Sequence, residues 1–134
     1  MSKLAEIEGI GPACAAKLEA AGVKNQAQLL AAGATPKGRK DLAAKCDLSG
    51  KLILKWINRA DLARVKGIGE EYADLLEHAG VDTVPELAQR RPDNLHKKMV
   101  EVNEAKKLVR SLPTEAAVTK WVAQAKTLPR AVNY

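Results

Sequence analysis

An all-α chain built from two tandem repeats is what this sequence predicts, and three observations predict it. The stretch "IEGIGPACAAKLEAAG" starting at Ile7 returns as "VKGIGEEYADLLEHAG" starting at Val65, a displacement of 58 residues. No segment sustains the apolar–polar alternation that a half-buried strand needs, whereas apolar residues recur at helical spacing. The 134 residues are 46% hydrophobic but only 3% aromatic, with no Phe, so the core has to be assembled from Leu, Ile, Val and Ala.

Within the 58-residue register, Gly9, Ile10 and Gly11 align with Gly67, Ile68 and Gly69. Ala15, Leu18, Glu19, Ala21, Gly22, Val23 and Leu29 also recur identically. Further on, "KWINRA" from Lys55 resembles "KWVAQA" from Lys120, now displaced by 65 residues. The second copy therefore carries an insertion of seven residues, expected around Arg110 to Pro113.

Each copy reads as about five short helices. In the first, a turn near Ser2–Ile7 leads into the Gly-Ile-Gly hairpin. Pro12 suits the first position of a helix, where a missing N–H costs nothing. That helix runs to Ala21, and Gly22 supplies a left-handed cap. Asn25 caps a short helix ending near Gly33, Thr35 caps the next with Pro36 behind it, and Ser49 caps a last helix reaching about Ala60. Asp61 then caps the turn into the second copy. There, Gly80 ends the hairpin helix, and Thr83 with Glu86 has the capping-box spacing. "RPDN" opens a longer helix and Thr114 caps the final one. The expected organisation is a first repeat over 1–62, a second over 63–128 and a C-terminal tail over 129–134. The short junction at Asp61–Val65 predicts two repeats packed as one compact unit.

The net charge of +6 is unevenly spread. Residues 1–34 hold three basic and three acidic groups and residues 67–134 hold ten of each, so the excess lies in 35–66, where nine Lys/Arg face three Asp. On the helix after Ser49, Leu52, Ile53, Trp56, Ile57 and Ala60 share one face, and Lys51, Lys55, Asn58 and Arg59 share the other. Lys37, Arg39, Lys40 and Lys45 lie on the helix before it. Such a strip is either a solvated face or a surface that tracks phosphates, and the concentration of the whole excess in one segment favours the second reading. The spacing of Ala43, Leu48, Ile53 and Trp56 also fits a helix-turn-helix, although Asp47 stands where glycine is usual. Scarce aromatics argue against single-strand binding by base stacking.

Several classes of chemistry find no support. Cys14 and Cys46 sit in helical patterns without a CxxC spacing and read as small packing residues. His78 and His96 are isolated, so no metal site is expected. Ser2, Ser49 and Ser111 lack His and Asp partners, and no enzyme is expected. No run reaches the length of a membrane span or a signal peptide, which makes a cytoplasmic location without membrane contact the expectation.

A Gly-Ile-Gly turn gives the chain tight torsions and plugs its Ile into the core. The amides that follow open a helix, where free N–H groups and the helix dipole favour an anion such as a DNA phosphate. The stretches "IEGIGPACAAKL" and "VKGIGEEYADLL" resemble the helix-hairpin-helix superfamily. Up to about Leu128 the chain resembles a family of small bacterial tandem helix-hairpin-helix proteins catalogued as a domain of unknown function. The resemblance implies two five-helix, SAM-like repeats. It also implies non-enzymatic, sequence-independent binding of duplex DNA backbone, and the one cofactor it allows is a monovalent cation at a hairpin. Related DNA binders often place Lys or Arg before the motif Ala, where this chain has Cys14 and Tyr72.

The expected DNA-contacting residues are Gly9, Ile10, Gly11, Pro12, Ala13, Lys17, Lys37, Arg39, Lys40, Lys51 and Lys55. In the second hairpin, Gly67, Ile68, Gly69, Glu70 and Glu71 are expected to be structural or to contact a partner. Glu70 and Glu71 complement their own helix dipole and occupy the space a phosphate would need. Gly11 and Gly69 are both expected to be steric requirements of their turns. The alternative for the whole chain is a protein-interaction adaptor or scaffold on the same fold.

Overall fold

A computed structural model describes Leu4, Ile7 and residues 10–133, with Glu70 by its backbone alone. The described residues form eight α-helices and no strand: α1 (Pro12–Ala20), α2 (Gln26–Ala32), α3 (Pro36–Cys46), α4 (Gly50–Leu62), α5 (Glu70–His78), α6 (Val84–Ala88), α7 (Pro92–Lys106) and α8 (Glu115–Thr127). The chain divides into two compact units, Met1–Asp61 with Ala131–Tyr134, and Leu62–Arg130. Each has its own apolar core. Leu18, Leu29, Ile53, Trp56 and Ile57 lie in the first core, and Leu75, Leu76, Leu87, Leu95, Met99 and Trp121 in the second.

Capping side chains start the helices where the sequence places them. Asn25 Oδ1 accepts from the Gln28 amide at 2.9 Å, Thr35 Oγ1 from Gly38 at 3.0 Å, and Thr114 Oγ1 from Ala117 at 3.0 Å. Ser49 Oγ accepts from Lys51 and Leu52 at 3.1 and 3.4 Å. Thr83 accepts from the Glu86 amide at 3.4 Å while its hydroxyl donates to Glu86 Oε1 at 3.1 Å. Each such bond satisfies an amide that the first helical turn leaves without a partner.

The two hairpins close through the same backbone bonds. Ile10 N–H donates to Ile7 O and Ile68 N–H to Val65 O, both at 3.1 Å. Ala15 donates to Gly11 O and Ala73 to Gly69 O, both at 2.9 Å. Val23 to Leu18 O at 2.9 Å has its counterpart in Val81 to Leu76 O at 2.8 Å, across the left-handed Gly22 (φ 91°) and Gly80 (φ 94°).

Beyond the hairpins the copies diverge: two of the seven extra residues enter before Lys107, the counterpart of Asp47, and the other five lie between Lys107 and Thr114, around the expected Arg110–Pro113. α6 has 5 residues against 7 in α2, and α7 has 15 against 11 in α3. Asp47 and Lys107, each at φ 52°, end α3 and α7 alike in a left-handed residue. After that point the loop to Thr114 is longer than the turn to Ser49. In the second copy the expected fifth helix reduces to a turn over 63–67. Val65 N–H donates to Leu62 O at 3.1 Å in one copy and Ile7 N–H to Leu4 O at 3.0 Å in the other, where most of Ser2–Ile7 lies outside the described residues.

In the second hairpin the required glycine is the first of the Gly-Ile-Gly, not the second. Gly67 has φ +98°, and a Cβ there would stand 2.8 Å from Trp121 Nε1. Gly11 and Gly69 are ordinary extended N-caps at φ −82° and −98°, where a Cβ meets nothing within 4 Å. Gly9, the counterpart of Gly67, lies outside the described residues.

Candidate nucleic-acid interface

The first hairpin presents the start of α1. Ile10 is buried in the core, while Gly11, Pro12 and Ala13 are exposed. Pro12 carries no N–H and Gly11 brings no capping side chain, so the Ala13 and Cys14 amides are the donors facing outward at the positive end of the α1 dipole. Lys17 is exposed on the last turn of the same helix.

α3 joins this helix at its far end. Cys46 Sγ lies 3.6 Å from Lys17 O and donates to it. Burial pushes the Cys46 thiol above its ordinary value, against the lowering pull of Lys17 and Lys45. The Cys46–Lys17 bond ties the hairpin helix to the basic segment. Lys37, Lys40 and Lys45 are exposed on α3, with Asp41 among them.

Arg39 departs from the expected contact set. With Leu42 and Cys46 it forms the buried stripe of α3; it is 8% exposed, and its Nη1 donates to Gly33 O at 2.9 Å. The i, i+3, i+7 spacing of these three residues was the available signal. This arginine holds the α2–α3 corner. Lys45, omitted from the expected contacts, takes its place on the exposed side.

On α4, Lys51 and Lys55 are exposed one turn apart, as expected. Two neighbours differ. Leu52, expected on the apolar face, is 42% exposed, and Arg59, expected on the charged face, is 4% exposed. The cause is depth along the helix rather than angle around it. The last turns of α4 are enclosed, with Ala60, Asp61 and Leu62 all buried, while its first turn stands open. Asp47, at the turn before α4, has the left-handed conformation that makes glycine usual at that position.

The second hairpin is held differently. Lys66 N–H donates to Gln124 Oε1 at 2.8 Å, Arg64 Nη1 donates to Pro129 O at 2.9 Å, and Gly67 lies against Trp121. Ile68 is buried, Gly69 and Glu71 are exposed, and Glu70 is the first residue of α5. Tyr72, in place of the motif cation, stacks at a tilt on Trp121 with centroids 5.3 Å apart and donates its hydroxyl to Ser111 O at 3.0 Å. The long loop before α8 is pinned further by His96 Nε2 at 2.9 Å from Pro113 O, and by Asn103, which accepts from Val109 N–H at 3.0 Å. None of these tertiary clamps was readable from spacing alone.

Among the described residues no group of three or more His, Cys, Asp or Glu is arranged to hold a metal ion, and no helix is long and apolar enough to cross a membrane. The model of the domain of unknown function DUF4332 matches residues 8–128, and the chain belongs to that family. No curated protein and no solved structure matches the chain.

Proposed function

We propose that this protein is a non-enzymatic helix-hairpin-helix module that grips the backbone of duplex DNA without reading its sequence. The observation that carries the reading is the set of exposed lysines in the first unit: Lys17 on α1, Lys37, Lys40 and Lys45 on α3, and Lys51 and Lys55 on α4. The open N-terminus of α1 at Gly11–Ala13 supports it, since its amides suit a phosphate oxygen and a glycine cap leaves room for one. Lysines act as point charges on phosphates and carry no base information, so affinity follows charge and salt rather than sequence. On this reading the protein works in the cytoplasm, and the resemblance makes it bacterial. A monovalent cation at the first hairpin is compatible with the reading and no step depends on it.

The second hairpin takes no phosphate in this proposal, because two acidic residues in sequence, Glu70 and Glu71, open α5. An adaptor role is the second reading, favoured by the exposed Glu71 and by the balanced charge of 67–134. The experiment is a duplex titration of the parent and of a variant with Lys37, Lys40, Lys45, Lys51 and Lys55 all replaced by Gln. Lys97→Gln with Lys98→Gln is the control. The DNA reading predicts binding by the parent and the control, and loss in the five-lysine variant for every duplex sequence tested. No binding by the parent at low salt, or equal loss in both variants, rejects it and leaves the adaptor reading.

A further inference from the structure

We infer that residues Ala131–Asn133 are a docked strap that holds the α2–α3 corner of the first unit, and with it the start of the lysine-bearing helix α3. After α8 the chain leaves one unit at Arg130 and enters the other at Ala131. Val132 is 2% exposed within the core of the first unit, and Asn133 N–H donates to Ala34 O at 2.7 Å. A segment expected to be a tail is therefore a structural element.

The corner it meets is built by close approach. Gly33 lies under the Ile57 side chain and Gly38 against the Ala32 carbonyl, contacts with no room for a Cβ. At a helix end, carbonyls lose their intrahelical donors and need others. Here one donor is a side chain of α3, Arg39 Nη1 to Gly33 O at 2.9 Å, and the other comes from far along the chain, the Asn133 amide to Ala34 O at 2.7 Å. The equivalent corner of the second unit closes on its own residues, with Gln89 N–H to Glu86 O at 3.3 Å and Arg90 N–H to Leu87 O at 3.1 Å. Arg90 Nη1 also reaches Ala79 O at 3.4 Å there. The donor to Ala34 O comes from 99 residues further along the chain, beyond α8.

Thr35, next to Ala34, caps α3, so the strap acts one residue from the start of the helix that carries Lys37, Lys40 and Lys45. Releasing the strap loosens that start without removing a cation. Its bearing on DNA rests on the reading above; its bearing on α3 does not.

Amide hydrogen exchange on the full chain tests this. In the parent, the Asn133 amide is expected to exchange roughly tenfold or more slowly than an unstructured amide. Asn133→Pro removes the donor and adds the backbone restraint a proline places on 132 and 133, and Val132→Asp expels the apolar plug. Both are expected to speed exchange at Gly38 and Arg39, whose amides bond to Thr35, while Val81 and Leu87 of the second unit keep their protection. An Asn133 amide exchanging at the unstructured rate in the parent, or Gly38 and Arg39 fully protected in Asn133→Pro, overturns the strap. If Val132→Asp opens the whole first unit, Asn133→Pro decides by the same criterion. In duplex titrations of Asn133→Pro, weaker binding at low salt links strap and interface. A parent that fails to bind duplex rejects the DNA reading and leaves the exchange result to judge the strap.

Discussion

The turn from Ile7 to Ala15 and the turn from Val65 to Ala73 close with backbone bonds of the same length, yet they offer a ligand opposite things. One opens a helix with Pro12 and Ala13, in a unit whose exposed faces carry Lys17, Lys37, Lys40, Lys45, Lys51 and Lys55. The other opens a helix with Glu70 and Glu71 and sits in a segment of balanced charge. The geometry shared by the two turns rests on a few positions: two core aliphatics and the bond back from the helix, with a left-handed Gly67 in the second. The residues just after the turn are free of that duty, so charge can change there at no cost to the fold. Repetition here preserves a scaffold while the charge around the two turns differs.

The largest expected effect bears on the equivalence of the copies. Trp56 and Trp121 are 1% and 4% exposed, one in each core. Replacing either with Ala should cost roughly 3–5 kcal/mol through lost burial and the cavity left behind. Urea melts check it, and a loss confined to one tryptophan would break the equivalence.

The glycines sharpen the comparison within one hairpin. Gly67→Ala forces a side chain into a positive φ and against Trp121, for an expected loss of about 1–3 kcal/mol. Gly69→Ala and Gly11→Ala should change stability by no more than about 0.5 kcal/mol, since both are extended and open. A Gly11→Ala variant that melts like the parent but binds duplex less well would assign that glycine to the ligand. Of similar or smaller size, Thr35→Ala and Thr83→Ala should each cost about 1 kcal/mol as lost caps, one in each copy.

The smallest effect is alkaline. Burial holds the folded Cys46 thiol protonated above its ordinary range, so the unfolded chain loses that proton first. Stability conferred by the protonated thiol is full below about 8.5, the usual thiol value, and declines as pH rises past it. Cys46→Ala should flatten the decline in melts followed across that range.

How far these features could be read in advance depends on what carries them. The hairpins, the caps at Asn25, Thr35, Thr83 and Thr114, and the tandem copies rest on short-range chemistry, and spacing reveals them. Burial at helix ends does not. A helical wheel puts Arg59 beside Lys51 and Lys55, but the enclosure of the last turns of α4 buries it and leaves Leu52 outside. Arg39 misled for a different reason: a guanidinium counts as surface charge in any tally, and only its register with Leu42 and Cys46 marks it as a corner bond. The docking of Val132 joins residues about a hundred positions from their partners, and no local pattern encodes such a contact.

The most direct test of the proposed role of the first unit is the salt dependence of duplex binding by the parent and by the variant lacking Lys37, Lys40, Lys45, Lys51 and Lys55. Backbone binding releases counterions, with a log–log slope of about −0.9 per phosphate neutralised. The parent should bind with a steep negative slope shared by unrelated duplex sequences, and the five-lysine variant should bind weakly with a much flatter one. A parent whose affinity does not change with salt, or a variant that keeps the parental slope, would contradict the assignment of DNA binding to the first unit.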